Sequence, residues 1–378
     1  PSYYDTSTYT QCEMHPAAPL YSGGILVNPG FEDGTQGWTE SIGNASLHIE
    51  SENNGNKFIV ASNRQMGYHS PSQKLENLSQ DMKCTLSAWL QIRGNVSSAF
   101  VKATVGMDNT TYTCAGNVIA RNGCWSFLKG GFVPDWSPFY AKLYFESNRT
   151  DFEILVDSVS LQPFTDEEWR LHQQDGIRMK RMKRVIIHVT DLHGNRLEKA
   201  NLTVKQYSRQ FPLGSAISQD ILGNQVYQVA KLDKEELQKA VNQRIESLVS
   251  RYAGNFINWD VSNEMLHFSF YEDKLGNNAS DGFYQAAQEI DPWTPKFMND
   301  YNVIKSCDDP EASVDAYIQR LTEIRASGRV MEGIGLESHF EKPNIPFVRA
   351  ALEKLSTLSL PIWLIEVDVN ANFDHQTQ

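Results

Sequence analysis

The stretch Phe256–His267, FINWDVSNEMLH, decides how the second half of the chain folds. Its apolar and β-branched run stops abruptly at Asn263 and Glu264, the signature of a buried strand that ends in a carboxylate. Upstream, Asp233 stands three residues before Glu236 as a capping box, and Leu237, Val241, Ile245, Leu248 and Tyr252 recur at helical spacing until Gly254. Downstream the unit repeats. A helix near 283–289 precedes KFMNDYN. A helix opened by Ser313, with Val314, Tyr317, Ile318, Leu321 and Ile324 on one face, precedes GIGLESHF, and a last helix near 347–358 precedes PIWLIEVDV. Alternating strands and helices predict a parallel sheet or barrel. In a parallel barrel the carboxyl ends of all strands meet at one rim, where chemistry is carried out. Asn263 and Glu264, Asn299 and Asp300, His339, and Glu366 with Asp368 occupy those ends. One polar strand end is as often a helix cap or a turn as a site; four in register point to a site.

Before this half, from about Leu20 to Leu161, the rhythm is of short strands with alternating apolar positions, divided by Gly, Asn, Asp and Ser turns. TLSAWLQIR, FVKATVGM, AKLYFES and FEILVDSVSL are examples. Regular short strands without a helical stretch predict a β-sandwich. Trp89, flanked by Leu86 and Leu90, reads as core. Tyr68, Tyr112 and Trp136 stand beside polar or turn residues, so core packing and exposure are equally open for them. Exposed rings there would stack on the apolar faces of sugars.

The 378 residues carry 46 acidic against 34 basic side chains, a formal charge of -12. That balance is the reverse of a nucleic-acid footprint, so no nucleic-acid partner is expected. The basic cluster RMKRMKR, Arg178–Arg184, is read as a solvated stretch before a strand rather than a nuclear signal. No apolar run reaches the roughly 18 to 20 residues of a membrane span, and neither an initiator Met nor a signal-peptide core is present, which suggests a processed N-terminus. Seven sequons, at Asn44, Asn77, Asn95, Asn109, Asn148, Asn201 and Asn278, favour secretion. Of the five cysteines, Cys114 and Cys124 flank a stretch that reads as a hairpin a disulfide would close, although spacing alone does not fix the pairing.

The quoted motifs also carry a likeness. WDVSNE, FMNDYN, GIGLESHF and PIWLIEVDV resemble, in order and spacing, family 10 of the glycoside hydrolases, the plant-type endo-1,4-β-xylanases. NPGFEDGTQGW, LYFE and DSVSL resemble a family 22 carbohydrate-binding module. The resemblance implies retaining hydrolysis of β-1,4-xylosidic bonds in xylan, with Glu264 as general acid/base and Glu366 as nucleophile, and no catalytic cofactor. Such a mechanism needs two carboxyl groups about 5 to 5.5 Å apart, one protonated and one ionised. Asn263 would bond the hydroxyl beside the reacting carbon, and His339 and Asp368 would hold Glu366 ionised and oriented. Asn299 joins this substrate-contacting set. In the binding module the resemblance implies Arg64, Tyr68, Tyr112 and Glu146 as sugar contacts, and Glu32 and Asp157 as carboxylates of a structural calcium. It further implies a secreted, extracellular monomer acting at the cell wall on xylan or a related β-glycan.

The expected architecture is multidomain: an N-terminal segment (1–19), an all-β jelly-roll sandwich (20–165), a connecting segment (166–208) and a partial (β/α)8 TIM-type barrel (209–378). A complete barrel takes about 250 residues, more than the chain holds from Arg184 to Gln378. FPLGSAI reads as its first strand, but the family's motifs for the second and third strands and for the eighth are absent. Low turnover is therefore expected of this chain. Two rival functions stand beside the leading one: a xylan-binding protein without catalysis, and a hydrolase of another β-glycan.

Overall fold

Strand-forming residues fill the first part of the chain, and the computed structural model arranges them as two facing antiparallel sheets. The structure describes residues 4–9, 12–41, 45–180, 187–197, 201–203, 205 and 232–370. The strands are β1 (Thr39–Glu40), β2 (Ser46–Ser51), β3 (Lys57–Ser62), β4 (Pro71–Leu75), β5 (Lys83–Gly94), β6 (Ser98–Met107), β7 (Thr111–Arg121), β8 (Ser126–Phe132), β9 (Ala141–Glu146) and β10 (Phe152–Phe164). One sheet runs β1-β4-β9-β6-β7 and the other β2-β3-β10-β5-β8. Alternate side chains such as Leu86, Ala88, Leu90 and Ile92 of β5 meet Val101, Ala103 and Val105 of β6 in one core between the sheets.

The outer face of the second sheet is apolar as well. Phe58, Trp89, Trp125 and Phe127 form a second cluster there, covered by Tyr9, Ala17 and Leu20. Trp89 is thus core, as expected, but against the N-terminal segment rather than between the sheets. That segment, separated in the sequence analysis as its own unit, is stitched on by paired Glu13 and Trp125 and by a Cys12–Cys124 disulfide. The hairpin pairing Cys114–Cys124 is therefore corrected. Cys114 sits on β7 and Cys124 precedes β8, strands that belong to different sheets, so the two side chains take different partners.

The connecting segment opens with a helix the sequence analysis did not identify, α1 (Asp166–Lys180). Its start is a capping box: Glu168 N donates to Thr165 Oγ1, and Thr165 N donates to Glu168 Oε2. Trp169 of α1 is buried against Phe164 and Tyr4. Arg178 of the basic cluster is solvated, as expected, but inside the helix. Thr190 and Arg196 then form a lone bridge rather than a strand. The expected first barrel strand, FPLGSAI, lies outside the described residues.

The second unit alternates α2 (Lys234–Tyr252), β11 (Trp259–Asn263), α3 (Phe270–Leu275), α4 (Ala279–Ile290), β12 (Lys296–Asp300), α5 (Val314–Ala326), β13 (Gly333–Phe340), α6 (Ile345–Leu355) and β14 (Ile362–Val369). Both expected caps are present. Asp233 and Glu236 bond reciprocally at α2, and Ser313 Oγ accepts from Ala316 N at α5. The four strands form one parallel sheet in chain order. Met298, Ile334 and Leu336 bury against Tyr284, Tyr317, Leu321 and Leu355 of the helices. Among the described residues this is an open sheet rather than a closed barrel, and at its β14 edge Leu364 and Val367 are exposed.

The two units are packed together. Helix α6 lies on β8, where Gly131 leaves room for Pro346: a Cβ there would come within 2.4 Å of the proline and of the Cys84 carbonyl. Asn344 Nδ2 donates to Gly131 O at 2.9 Å, and Ile119 N donates to Asp315 Oδ2 at 2.9 Å. A Cys114–Cys307 disulfide, buried beside Phe347, joins β7 to the loop after β12.

Candidate active site

Parallel register brings the polar strand ends together. Asn263 pairs with Asn299, Asp300 with Leu336 and His339 with Asp368, so the carboxyl ends of β11 to β14 share one edge. Buried Asn299 is the hub. Its Nδ2 donates to Asn263 Oδ1 at 2.8 Å and also to Glu337 Oε1, while its backbone carbonyl accepts from Glu264 N at 2.9 Å. Glu264 and Glu366 both leave the extended conformation, with φ of 55° and 51°. Left-handed backbone at bulky non-glycine residues is costly and is held only where the surroundings impose it.

The carboxyl groups do not titrate alike. Glu264 is raised above the usual carboxylate range by partial burial, then by the charges of Asp300 and Glu366, with His267 opposing. A raised acid stays protonated at higher pH, as a proton donor requires. Burial opposes protonation of His267, but bonds to Asp309 (2.9 Å) and Asp300 (2.7 Å) outweigh it and raise the imidazole. The ring also stacks on Tyr301, with centroids 3.7 Å apart. Asp300, fully buried and raised by that burial, accepts from Leu266 N and so fixes the turn after Glu264.

A third carboxyl group, missed in the sequence analysis, lies between these elements. Glu337 of β13 is 3% exposed, and burial followed by the charges of Glu366 and Glu264 pushes it up to about 7. Glu337, His339 and Glu366 each bring a polar atom within 4.8 Å of the others. His339 Nδ1 also meets Asp368 Oδ2 at 2.8 Å, so both expected supports of Glu366 are on its strand or the next. The signals for the missed residues were present. Glu337 is a charge inside the apolar run GIGLE, and His267 follows Glu264 by three positions in the opening stretch.

On the sandwich, Tyr68, Tyr112, Tyr140, Tyr144 and Glu146 line a groove of about 660 Å³ with Ser41, Gly106, Asn109 and Lys142. Tyr112 is 61% exposed and Tyr68 half-buried, and Glu146 accepts from Thr104 Oγ1 and Lys102 Nζ. Three of the four expected sugar contacts therefore share one groove, which also holds two tyrosines the sequence analysis did not single out. Arg64 is the exception. It is buried, and its guanidinium donates to the carbonyls of His69, Gly67, Arg149 and Phe152, so it braces the loop beneath Tyr68 rather than facing a ligand. Trp136 is half-buried, packs on the core and bonds Asp108.

Of the two carboxylates assigned to calcium, Asp157 is fully buried and pushed up to about 7 by burial, with the charges of Glu52 and Glu32 adding to the shift. Asn56 Nδ2 and Ser158 N each donate to it. Glu32 is exposed beside Lys57. Among the described residues the set of three acids or histidines gathered closely enough to share a cation is Glu337, His339 and Glu366, and Asp157, Glu32 and Glu52 do not form such a set.

Two family models match the chain. Residues 23–151 match a carbohydrate binding domain, and residues 221–378 match glycosyl hydrolase family 10. Endo-1,4-beta-xylanase 4 of Arabidopsis thaliana is 29% identical over 75% of this chain and 62% of its own length. Endo-1,4-beta-xylanase 5-like of the same plant is 28% identical over 98% of this chain and 73% of its own. A solved CBM22-1 xylan-binding domain from Paenibacillus barcinonensis Xyn10C is 23% identical and covers 39% of this chain and 97% of that one, with a TM-score of 0.34. The chain spans less than two thirds of the length of the first of these relatives. Its two units are thus similar, in chain order, to a carbohydrate binding domain and to glycosyl hydrolase family 10.

Proposed function

We propose that the chain hydrolyses β-1,4-xylosidic bonds of xylan with retention of configuration, as an endo-1,4-β-xylanase whose sandwich is a family 22-type module that holds the same polymer. The observation that carries this reading is the meeting of two carboxylates at the strand ends: Glu264, raised by burial and then by the charges of Asp300 and Glu366, stands across the strand edge from exposed Glu366. Glu264 protonates the leaving oxygen while Glu366 attacks the anomeric carbon. Water, deprotonated by Glu264, then releases the sugar. Asn263, fixed by Asn299, is placed to bond the sugar hydroxyl beside that carbon, and no cofactor takes part. The family 10 match supports a (β/α)8 barrel as the fold of the second unit. The sequons and paired cysteines support secretion, and the protein is read as an extracellular monomer acting at the cell wall. Asp157 with Glu32 is the proposed calcium site; a melting temperature unchanged between calcium and chelator would refute it.

Labelling tests the central reading. An activated 2-fluoro-xylobioside traps the glycosyl-enzyme, and peptide mass spectrometry should find it on Glu366. Glu366→Ala should abolish labelling. Glu264→Ala should lower xylan hydrolysis by about 10²- to 10⁴-fold, and added azide should restore part of it, because a small anion completes the second step without a general base. A label on any other carboxylate, or full turnover by Glu366→Ala, would overturn the assignment.

A further inference from the structure

One sequon falls inside the sandwich groove. Asn109, of Asn109-Thr110-Thr111, sits at the tip of the turn between β6 and β7 and lines the groove beside Tyr112 and Tyr140. Asp108 and Asn109 both have positive φ, 52° and 56°, and Thr110 N closes the turn on Met107 O at 3.1 Å. The turn is braced. Asp108 accepts from Trp136 Nε1 at 2.7 Å and from Tyr140 N at 3.0 Å, and its own N donates to Tyr140 O at 2.8 Å. Asn109 itself is exposed, as are the other described sequon asparagines 77, 95, 148, 201 and 278. Among these six, Asn109 alone lines the groove.

We propose that Asn109 carries an N-linked glycan whose own sugars occupy the tyrosine groove, so that the binding module is blocked by its glycan and opened by trimming it. The inference rests on the proposed reading of the groove as a sugar site in a secreted protein. In the modifying step Asn109 Nδ2 forms a bond to the anomeric carbon of an oligosaccharide carried on a lipid pyrophosphate. The carbon–oxygen bond to the pyrophosphate breaks, the amide gives up one proton, and the lipid pyrophosphate leaves. The glycan then begins at the groove's rim on a turn that cannot swing away. A short tether gives its sugars an effective concentration on the order of millimolar at the site. A volume of about 660 Å³ holds only a few rings, and tyrosine faces accept any pyranose with an apolar face, so tethered sugars compete well with free xylan.

The test uses the full chain, made in a glycosylating host and in a bacterial one, with soluble xylan as the probe in affinity electrophoresis. Peptide mass spectrometry should find Asn109 occupied in the first preparation. That protein should bind xylan at least about tenfold more weakly than the bacterial one. Thr111→Val from the glycosylating host, which loses this sequon and keeps Asn109 and every other site, should bind as the bacterial protein does. Thr111→Ala repeats the comparison should Thr111→Val fold poorly. An unmodified Asn109, or equal affinity of the occupied protein and the sequon variant, would overturn the proposal. A bacterial protein that xylan does not retard at all would instead refute the sugar-binding reading of the groove, and this proposal with it.

Discussion

At the scale of single residues, Glu337 is the side chain whose chemistry is most sharply set by its surroundings. Its folded pKa of about 7 lies above the ordinary carboxylate value of 4.5, so the folded chain keeps this proton to a higher pH than the unfolded chain does. The sign follows. Below about pH 4.5 the group adds no pH dependence; between 4.5 and 7 stability falls as pH rises, and above 7 the loss is complete. Glu337→Gln keeps an oxygen acceptor for Asn299 Nδ2 and removes the titration. Wild type should therefore lose more melting temperature between pH 5 and pH 8 than the variant, by a few degrees. Parallel melting curves for the two proteins would show that Glu337 is not held protonated. Glu264 and Glu366 were legible in the sequence because each ends an apolar run inside a dense motif. Glu337 was not singled out, because its significance depends on the neighbours that bury it. Arg64, which the resemblance assigned to the sugar, depends on its neighbours in the same way: its donors are bonded to four backbone carbonyls, which no sequence pattern announces.

At the scale of elements, α2 is held at its start by the reciprocal bonds of Asp233 and Glu236, 2.9 Å and 3.2 Å long. Asp233→Ala removes one acceptor and leaves the Glu236 N–H without its cap. The cost should be about 1 kcal/mol, read as a loss of roughly 2–4 °C in melting temperature, whereas Asp233→Asn or Asp233→Ser should lose less. A variant melting with wild type would mean that α2 is held by packing of Leu237 and Val249 alone. Period and caps made α2, α5 and the four parallel strands readable, with boundaries within a few residues. Helix α1 was equally signposted by Thr165 and Glu168, but its mean polarity hid it, since Trp169 is its one strongly apolar anchor in the first turn. The disulfides were not readable, because pairing depends on which sheet a cysteine joins, and that is a property of topology rather than of spacing.

At the scale of the whole molecule, the sandwich and the α/β unit are joined by a covalent staple. The Cys114–Cys307 bridge spans 193 residues, and Lys102 adds a link from Glu146 in the groove to Asp308, next to the Asp309 that holds His267. In the chain-entropy account a loop of that length is worth roughly 5 kcal/mol. Replacing both cysteines by serine should split one melting transition into two and lower that of the α/β unit, as read by calorimetry; a single unshifted transition would show that the helix α6 contacts suffice. The staple also sets an order of events during synthesis. Cys12, Cys84, Cys114 and Cys124 all emerge long before Cys307, so the finished sandwich must wait with an unpaired thiol on β7 until more than half of the chain behind it has been made. Cys84 is kept out of this exchange by burial, which pushes its thiol up to about 12. Cys114 has no such protection while it waits, so thiol oxidation that runs ahead of translation would trap it with Cys12 or Cys124. The yield of this protein should thus be governed by how readily early, wrong bridges are reshuffled rather than by the stability of the finished fold.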